Sequence, residues 1–149
     1  MQVARNVPHP ATILLVEDNP SDIHIARAAL EETTFLGELH VVEDGDRALD
    51  FLKRRDGFAM APRPDLVLLD LNLPGRDGRQ VLREIKSDAE LHRIPVIVLT
   101  TSTAPSDVVE CYDLHANCYI AKPVDFDRFA AVLREIESFW LRWVTLPPE

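Results

Sequence analysis

The sequence predicts an α/β fold, a doubly wound parallel sheet of five strands with five helices over its two faces, and three observations point there. Short apolar runs alternate with helix-period segments along almost the whole chain, the pattern of repeated strand–helix–strand units. The crossovers are short, and right-handed connections of that kind lay successive strands parallel. The stretch Asp65-Leu66-Val67-Leu68-Leu69-Asp70 places four apolar residues between two acids. That describes a strand buried on both faces, as the centre of a parallel sheet requires.

Taken in order, residues 1–10 carry two prolines and no periodicity, so they are expected to be a flexible N-terminal arm before a domain over 11–144, with 145–149 as a C-terminal tail. Ile13 to Val16 is the first strand and ends in Glu17-Asp18. Asn19-Pro20-Ser21-Asp22 offers a capping side chain and a first-turn proline, and Ile23, Ala26 and Leu30 then repeat on one helical face. Leu39 to Val42 is the second strand. Asp44-Gly45 turns into a helix with Ala48, Leu49, Phe51 and Leu52 inward and Lys53-Arg54-Arg55 outward, which Pro62 and Pro64 end before the central strand.

After Asp77-Gly78 a helix carries Val81, Leu82 and Ile85, and Pro95 opens the strand Val96 to Leu99, which ends in Thr100-Thr101-Ser102. A helix from about Pro105 to Leu114 leads to the strand Cys118 to Ala121, ending in Lys122-Pro123. The last helix begins near Asp125, with Phe129, Val132, Ile136, Phe139 and Trp143 on the face expected to meet the core.

At 149 residues the chain suits one domain with a substantial core. A formal net charge of −9 excludes a general nucleic-acid binder, which needs a basic field to displace counterions from phosphates, so no DNA partner is expected. Cys111 and Cys118 form no CxxC pair and are expected to be small packing residues, and the histidines show no metal-ligand spacing. No segment has the apolar length of a signal peptide or a membrane helix, which makes a cytoplasmic location the default.

Parallel strands all end at the same edge, so Glu17, Asp18, Asp70, Thr100 and Lys122 are expected to meet there, where open α/β sheets place their ligands. Three carboxylates held together raise one another's pKa values unless a positive charge sits among them. A hard divalent cation, Mg²⁺, is the economical answer, and Lys122 could pair with Asp70 when no ligand is present. A carboxylate nucleophile, a metal site, a hydroxyl and an ammonium are the parts needed to transfer a phosphoryl group onto the carboxylate itself: Asp70 would form the acyl phosphate, and Mg²⁺, Lys122 and Thr100 would stabilise its oxygens.

With these residues the chain resembles, from about Thr12 to Trp143, the receiver domain of bacterial two-component response regulators. The resemblance is carried by Glu17-Asp18, by Leu-Leu-Asp70 followed by Pro74 and Gly78, by Thr100, and by Tyr119-Ile-Ala-Lys122-Pro123. It implies the flavodoxin-like strand order 2-1-3-4-5, Asp70 as phosphoacceptor, Mg²⁺ bound directly by Asp18, through water by Glu17, and by the backbone carbonyl of Asn72, and a cis Lys122–Pro123 bond. Glu17 is one methylene longer than the acid often found there, and Thr101 is larger than the usual small residue. More narrowly, the chain is similar to stand-alone receivers that partner bacterial phytochrome histidine kinases, through His40 to Gly45, Ala61 to Asp65, Thr100 to Ser102, Ala116 to Ile120 and Phe139 to Leu141.

In that family Thr100 would be drawn to the new phosphoryl oxygens and Tyr119 would move from outward to inward, a shift between two pre-existing packings. No output domain follows the last helix, so the signal is expected to pass by association. Trp140 and Trp143 lie beyond the length needed to cover the sheet, and Phe126, Leu133 and Trp140 offer a second apolar stripe. A homodimer through the last helix and its neighbours is the expectation. Arg5, Arg63, Arg76 and Arg79 are spread out and expected to be solvated.

Other classes fit less well. A phosphatase of the haloacid-dehalogenase kind needs a general acid two residues after its nucleophile, where this chain has Asn72. A flavodoxin-like nucleotide binder needs a phosphate loop after the first strand, and Glu17-Asp18-Asn19-Pro20 would repel phosphate without a metal. A receiver-shaped interaction module would be free to lose Asp70, Thr100 or Lys122, and all are present.

Overall fold

Strand β1 (Thr12–Val16) lies between β2 (Glu38–Val42) and β3 (Leu66–Leu69), and β4 (Val96–Thr100) and β5 (Cys118–Ala121) follow on the β3 side. All pairings are parallel, in the expected order β2-β1-β3-β4-β5. The computed structural model describes residues 10–33 and 37–148. Apart from Pro10, the expected N-terminal arm lies outside the described residues, as do Arg5 and Glu149.

Between the strands run α1 (Pro20–Glu31), α2 (Gly45–Lys53), α3 (Gly78–Ser87) and α4 (Pro105–Asp113), and α5 (Phe126–Ser138) follows β5. Side chains alternate along each strand, so one chain of apolar residues feeds two cores. Leu14, Val16, Val67, Leu69, Val96 and Val98 pack with Leu49, Phe51, Val81, Leu82 and Ile85 of α2 and α3. Ile13, Leu15, Leu66, Leu68, Ile97 and Leu99 pack with Ala26 and Leu30 of α1 and Phe129, Leu133 and Ile136 of α5. Each such buried Leu, Ile or Val contributes about 1.5–3 kcal/mol of transfer free energy. Cys111 is wholly buried in α4, in keeping with a packing role, and burial pushes its thiol up to about 11.

Acidic and amide caps start α1, α2, α3 and α5, whereas α4 begins after Ala104 without a side-chain cap. Asn19 Oδ1 accepts from the Asp22 amide at 3.1 Å, Asp44 from Arg47 at 2.7 Å, and Asp125 from Asp127 at 2.8 Å. Asp77 and Gln80 form a reciprocal capping box at α3, the Asp77 amide donating to Gln80 Oε1 at 3.0 Å. Directly after it, Gly78 lies against the loop that carries Asp70. A Cβ there would stand 2.3 Å from the Asp70 carbonyl oxygen and 2.6 Å from Leu71 Cα, so only glycine fits.

The end of the last helix departs from expectation. Phe129 and Ile136 face the core as predicted, but Leu133, placed by its spacing on the outer stripe, is buried, and Phe139 and Trp143, placed inward, are 57% and 71% exposed. Leu133 follows Phe129 by four residues in a regular α-helix and so shares its face, and for Phe139 and Trp143 the cause is a π-helical turn over Phe139–Trp143. Its wider winding breaks the 3.6-residue period, and Leu141 takes the inward position instead. Trp140 is half-buried and meets Phe139 edge to face at 5.9 Å. Leu146, in the segment expected as a tail, packs into the same core.

Candidate functional site

The register of β1 on β3 pairs Val16 with Leu69, so Glu17 and Asp70 leave the sheet side by side. Thr100 ends β4 opposite Ala121, and the Lys122 amide donates to the Thr100 carbonyl oxygen at 2.7 Å. The predicted residues therefore converge: Glu17 is 2% exposed, Asp70 7% and Thr100 0%, while Asp18 stands at the open rim. Carboxylate oxygens of Glu17, Asp18 and Asp70 all lie within 4.8 Å of one another.

The carboxylates are oriented by backbone donors. Glu17 Oε2 accepts from the amides of Asp18 at 3.0 Å and Asn19 at 3.1 Å, which turns Oε1 toward Lys122. Asp70 Oδ1 accepts from the Asn72 amide at 3.2 Å, and Oδ2 lies 3.1 Å from Lys122 Nζ. Lys122 also meets Asp22 Oδ2 at 2.9 Å, and its side chain is only 5% exposed.

Burial, reinforced by the charge of Asp70 and opposed by Lys122, pushes the Glu17 carboxyl up to about 7. For Lys122 burial alone would pull the pKa down, but hydrogen bonds to Asp22 and Glu17 and the charge of Asp70 outweigh it, and the ammonium is held charged. The acids outnumber their one cation, and every donor atom is a hard oxygen, which suits a divalent ion. Thr100 Oγ1 is, among the described residues, the buried side-chain polar atom without a hydrogen-bond partner. A buried hydroxyl left unpaired costs stability, and one at the end of β4, the strand next to the one that leads into Asp70, suits an incoming oxygen ligand.

A second network leads away from the cup. The half-buried Tyr119 donates its hydroxyl hydrogen to the Ser102 carbonyl oxygen at 2.9 Å, and Ser102 Oγ donates to Asp107 of α4. Asp107 is paired with Arg79, which also reaches Glu110 at 2.7 Å and Asp77 at 3.2 Å. Arg79 is thus a paired charge, only partly solvated. It ties α3 to α4, and Arg76 likewise pairs with Asp46 at 3.1 Å and Glu84 at 3.5 Å. Their partners come from other elements, which linear spacing does not display.

Two further corrections concern Lys122. The Lys122–Pro123 bond is trans, since no cis peptide occurs among the described residues. The lysine is held without one, by its amide on Thr100 and its ammonium on three acids. Asp22 was not foreseen at the site. Its place after Asn19-Pro20 is fully explained by helix-start chemistry, and the one available signal was a third acid near the end of β1.

Comparison with known proteins identifies the family. Residues 13–134 match the response regulator receiver domain family. Response regulator Rcp1 of Synechocystis sp. is 47% identical over 138 residues, covering 93% of this chain and 94% of that protein. The crystal structure of the phosphorylated cyanobacterial phytochrome response regulator RcpA superimposes with a TM-score of 0.91 at 48% identity, covering 94% of this chain and all of that one (100%). The Mn²⁺-bound form of Rcp1 gives a TM-score of 0.90 at 47% identity, over 93% of this chain and 100% of that one. The chain belongs to the response regulator receiver domain family.

Proposed function

We propose that this response regulator accepts a phosphoryl group on Asp70 from the phosphohistidine of a histidine kinase of the phytochrome type, in a Mg²⁺-dependent step. The observation that carries the reading is the cup itself: a buried Asp70 oxygen 3.1 Å from the Lys122 ammonium, clustered with Glu17 and Asp18, with an unpaired Thr100 hydroxyl at the end of the neighbouring strand. An Asp70 oxygen attacks phosphorus while the P–N bond of the donor breaks and its electron pair returns to the imidazole. Lys122 neutralises charge on the transferring oxygens and Thr100 donates a hydrogen bond to one of them. Glu17, Asp18, Asp70 and the Asn72 carbonyl would hold Mg²⁺, which when bound supplies further charge neutralisation at the phosphoryl oxygens. Phytochrome partnership is supported by likeness to RcpA, and metal binding by likeness to the Mn²⁺ form of Rcp1.

Such a protein is a signalling acceptor and not an enzyme turning over external phosphate esters, because Asn72 cannot act as the general acid that ester hydrolysis requires. Thr100 and Tyr119 form the switch, with Ser102 as the main-chain partner of the tyrosine. The site of action is cytoplasmic, where the nucleotide that charges a histidine kinase is found. The exposed Trp143 and Phe139, with Trp140 against Phe139, support a homodimer through the last helix with its π-helical end and the adjacent elements, which light scattering at micromolar concentration tests against a monomer mass. Incubation with an autophosphorylated phytochrome kinase tests the main reading. Label should pass to the wild type and not to Asp70→Asn, and label retained on the kinase in both cases contradicts it.

A further inference from the structure

The Lys122 ammonium has three N–H donors, and it meets three carboxylates: Glu17, Asp22 and Asp70. Glu17 and Asp70 also belong to the cluster of oxygens that could share a metal ion, whereas Asp22 does not. Asp22 stands in the first turn of α1, its amide held by Asn19 and its side chain 21% exposed. Of the acids around Lys122, it is the one whose interaction a metal leaves in place.

We propose that Asp22 is a positioning residue that holds Lys122 at the cup and competes with the incoming phosphoryl group for its ammonium. The inference rests on the reading of Asp70 as phosphoacceptor. With three donors committed, Lys122 can bond a phosphoryl oxygen only when a carboxylate releases it. A cation shared by Glu17, Asp18 and Asp70 draws two of those carboxylates away and frees two N–H donors, and Asp22 on the third still neutralises part of the ammonium's charge, which is the charge the phosphoryl oxygens need. The charge of Asp22 also acts with opposite sign on the two ligands of the site, attracting a divalent cation and repelling a phosphate dianion. A purely structural residue would have no such split, because its loss would weaken both.

The full-length chain as wild type, Asp22→Asn, Asp22→Glu and Asp70→Asn makes the test. Mg²⁺ is titrated alone by calorimetry. Loading is then measured with acetyl phosphate at saturating Mg²⁺: an Asp70 oxygen attacks phosphorus, the P–O bond to the acyl group breaks, and acetate leaves with the electron pair. Asp22→Asn should raise the Mg²⁺ dissociation constant about three- to tenfold and raise the initial loading rate by a similar factor. Asp22→Glu, which keeps the charge, should bring both back toward wild type. Either quantity unchanged in Asp22→Asn, or both made worse, overturns the inference. Failure of the wild type to load at all would instead remove the underlying reading of Asp70, and the calorimetric arm would still report on Asp22.

Discussion

Tyr119 and Ser102 are joined by a hydrogen bond from the phenol to the main-chain carbonyl, 2.9 Å long, just beyond the strand-end Thr100 whose own hydroxyl has no partner. The tyrosine is therefore tied to the segment that would move if Thr100 were pulled toward Asp70. Sheet end, loop and α4 form one linked unit through Ser102, Asp107 and Arg79.

Thr100→Val tests the unpaired hydroxyl. The substitution keeps the β-branched shape and deletes a buried polar group without a partner, so the unphosphorylated protein should gain about 1 kcal/mol in urea unfolding. The same protein should load phosphoryl more slowly, having lost a donor. A loss of stability would show that the hydroxyl is satisfied in solution.

Arg79→Ala tests the tie between α3 and α4. Because the guanidinium is partly solvated, the expected cost is modest, about 1 kcal/mol, but amide exchange should quicken across Ser102 and α4. Arg79→Lys should not restore protection, since a single ammonium cannot span Asp77, Asp107 and Glu110 as the guanidinium fork does. Unchanged exchange would leave Arg79 as surface charge after all.

Gly78→Ala tests the close approach beneath the acceptor. A methyl group 2.3 Å from the Asp70 carbonyl oxygen must displace that loop. The expected cost is about 1–3 kcal/mol of stability together with slower loading of Asp70, read by thermal unfolding and phosphate-affinity electrophoresis.

As a metal ligand, Glu17 would make binding depend on pH. Burial pushes its carboxyl up to about 7 in the fold against an ordinary 4.5. Between those values the folded state holds the extra proton, so this group's contribution to stability falls as pH rises through that window. A divalent ion needs the deprotonated form, and its stabilisation should grow over the same window. Added Mg²⁺ should therefore raise the melting temperature more at about pH 8 than at about pH 5.5. An equal rise at both would exclude Glu17 from the metal site.

The strands and their chemical ends were legible because four-residue apolar runs between acids, Pro95 before β4, and Lys122-Pro123 after β5 leave little room for another topology. What stayed hidden was pairing across the fold. Asp22 meets Lys122 across 100 positions and Arg79 meets Asp107 across 28, and neither residue looks unusual beside its neighbours. The end of the terminal helix, from Phe139 on, was misjudged for a different reason. Periodicity assumes a constant winding, and the wider turn from Phe139 changes which side chains point inward.

The central claim is that Asp70 carries the phosphoryl group, and the most direct measurement is phosphate-affinity electrophoresis after incubation with acetyl phosphate and Mg²⁺. The wild type should give a retarded band that is absent from Asp70→Asn and lost on chelation of the metal. A band of equal retardation in both proteins, or none in either, would contradict the account.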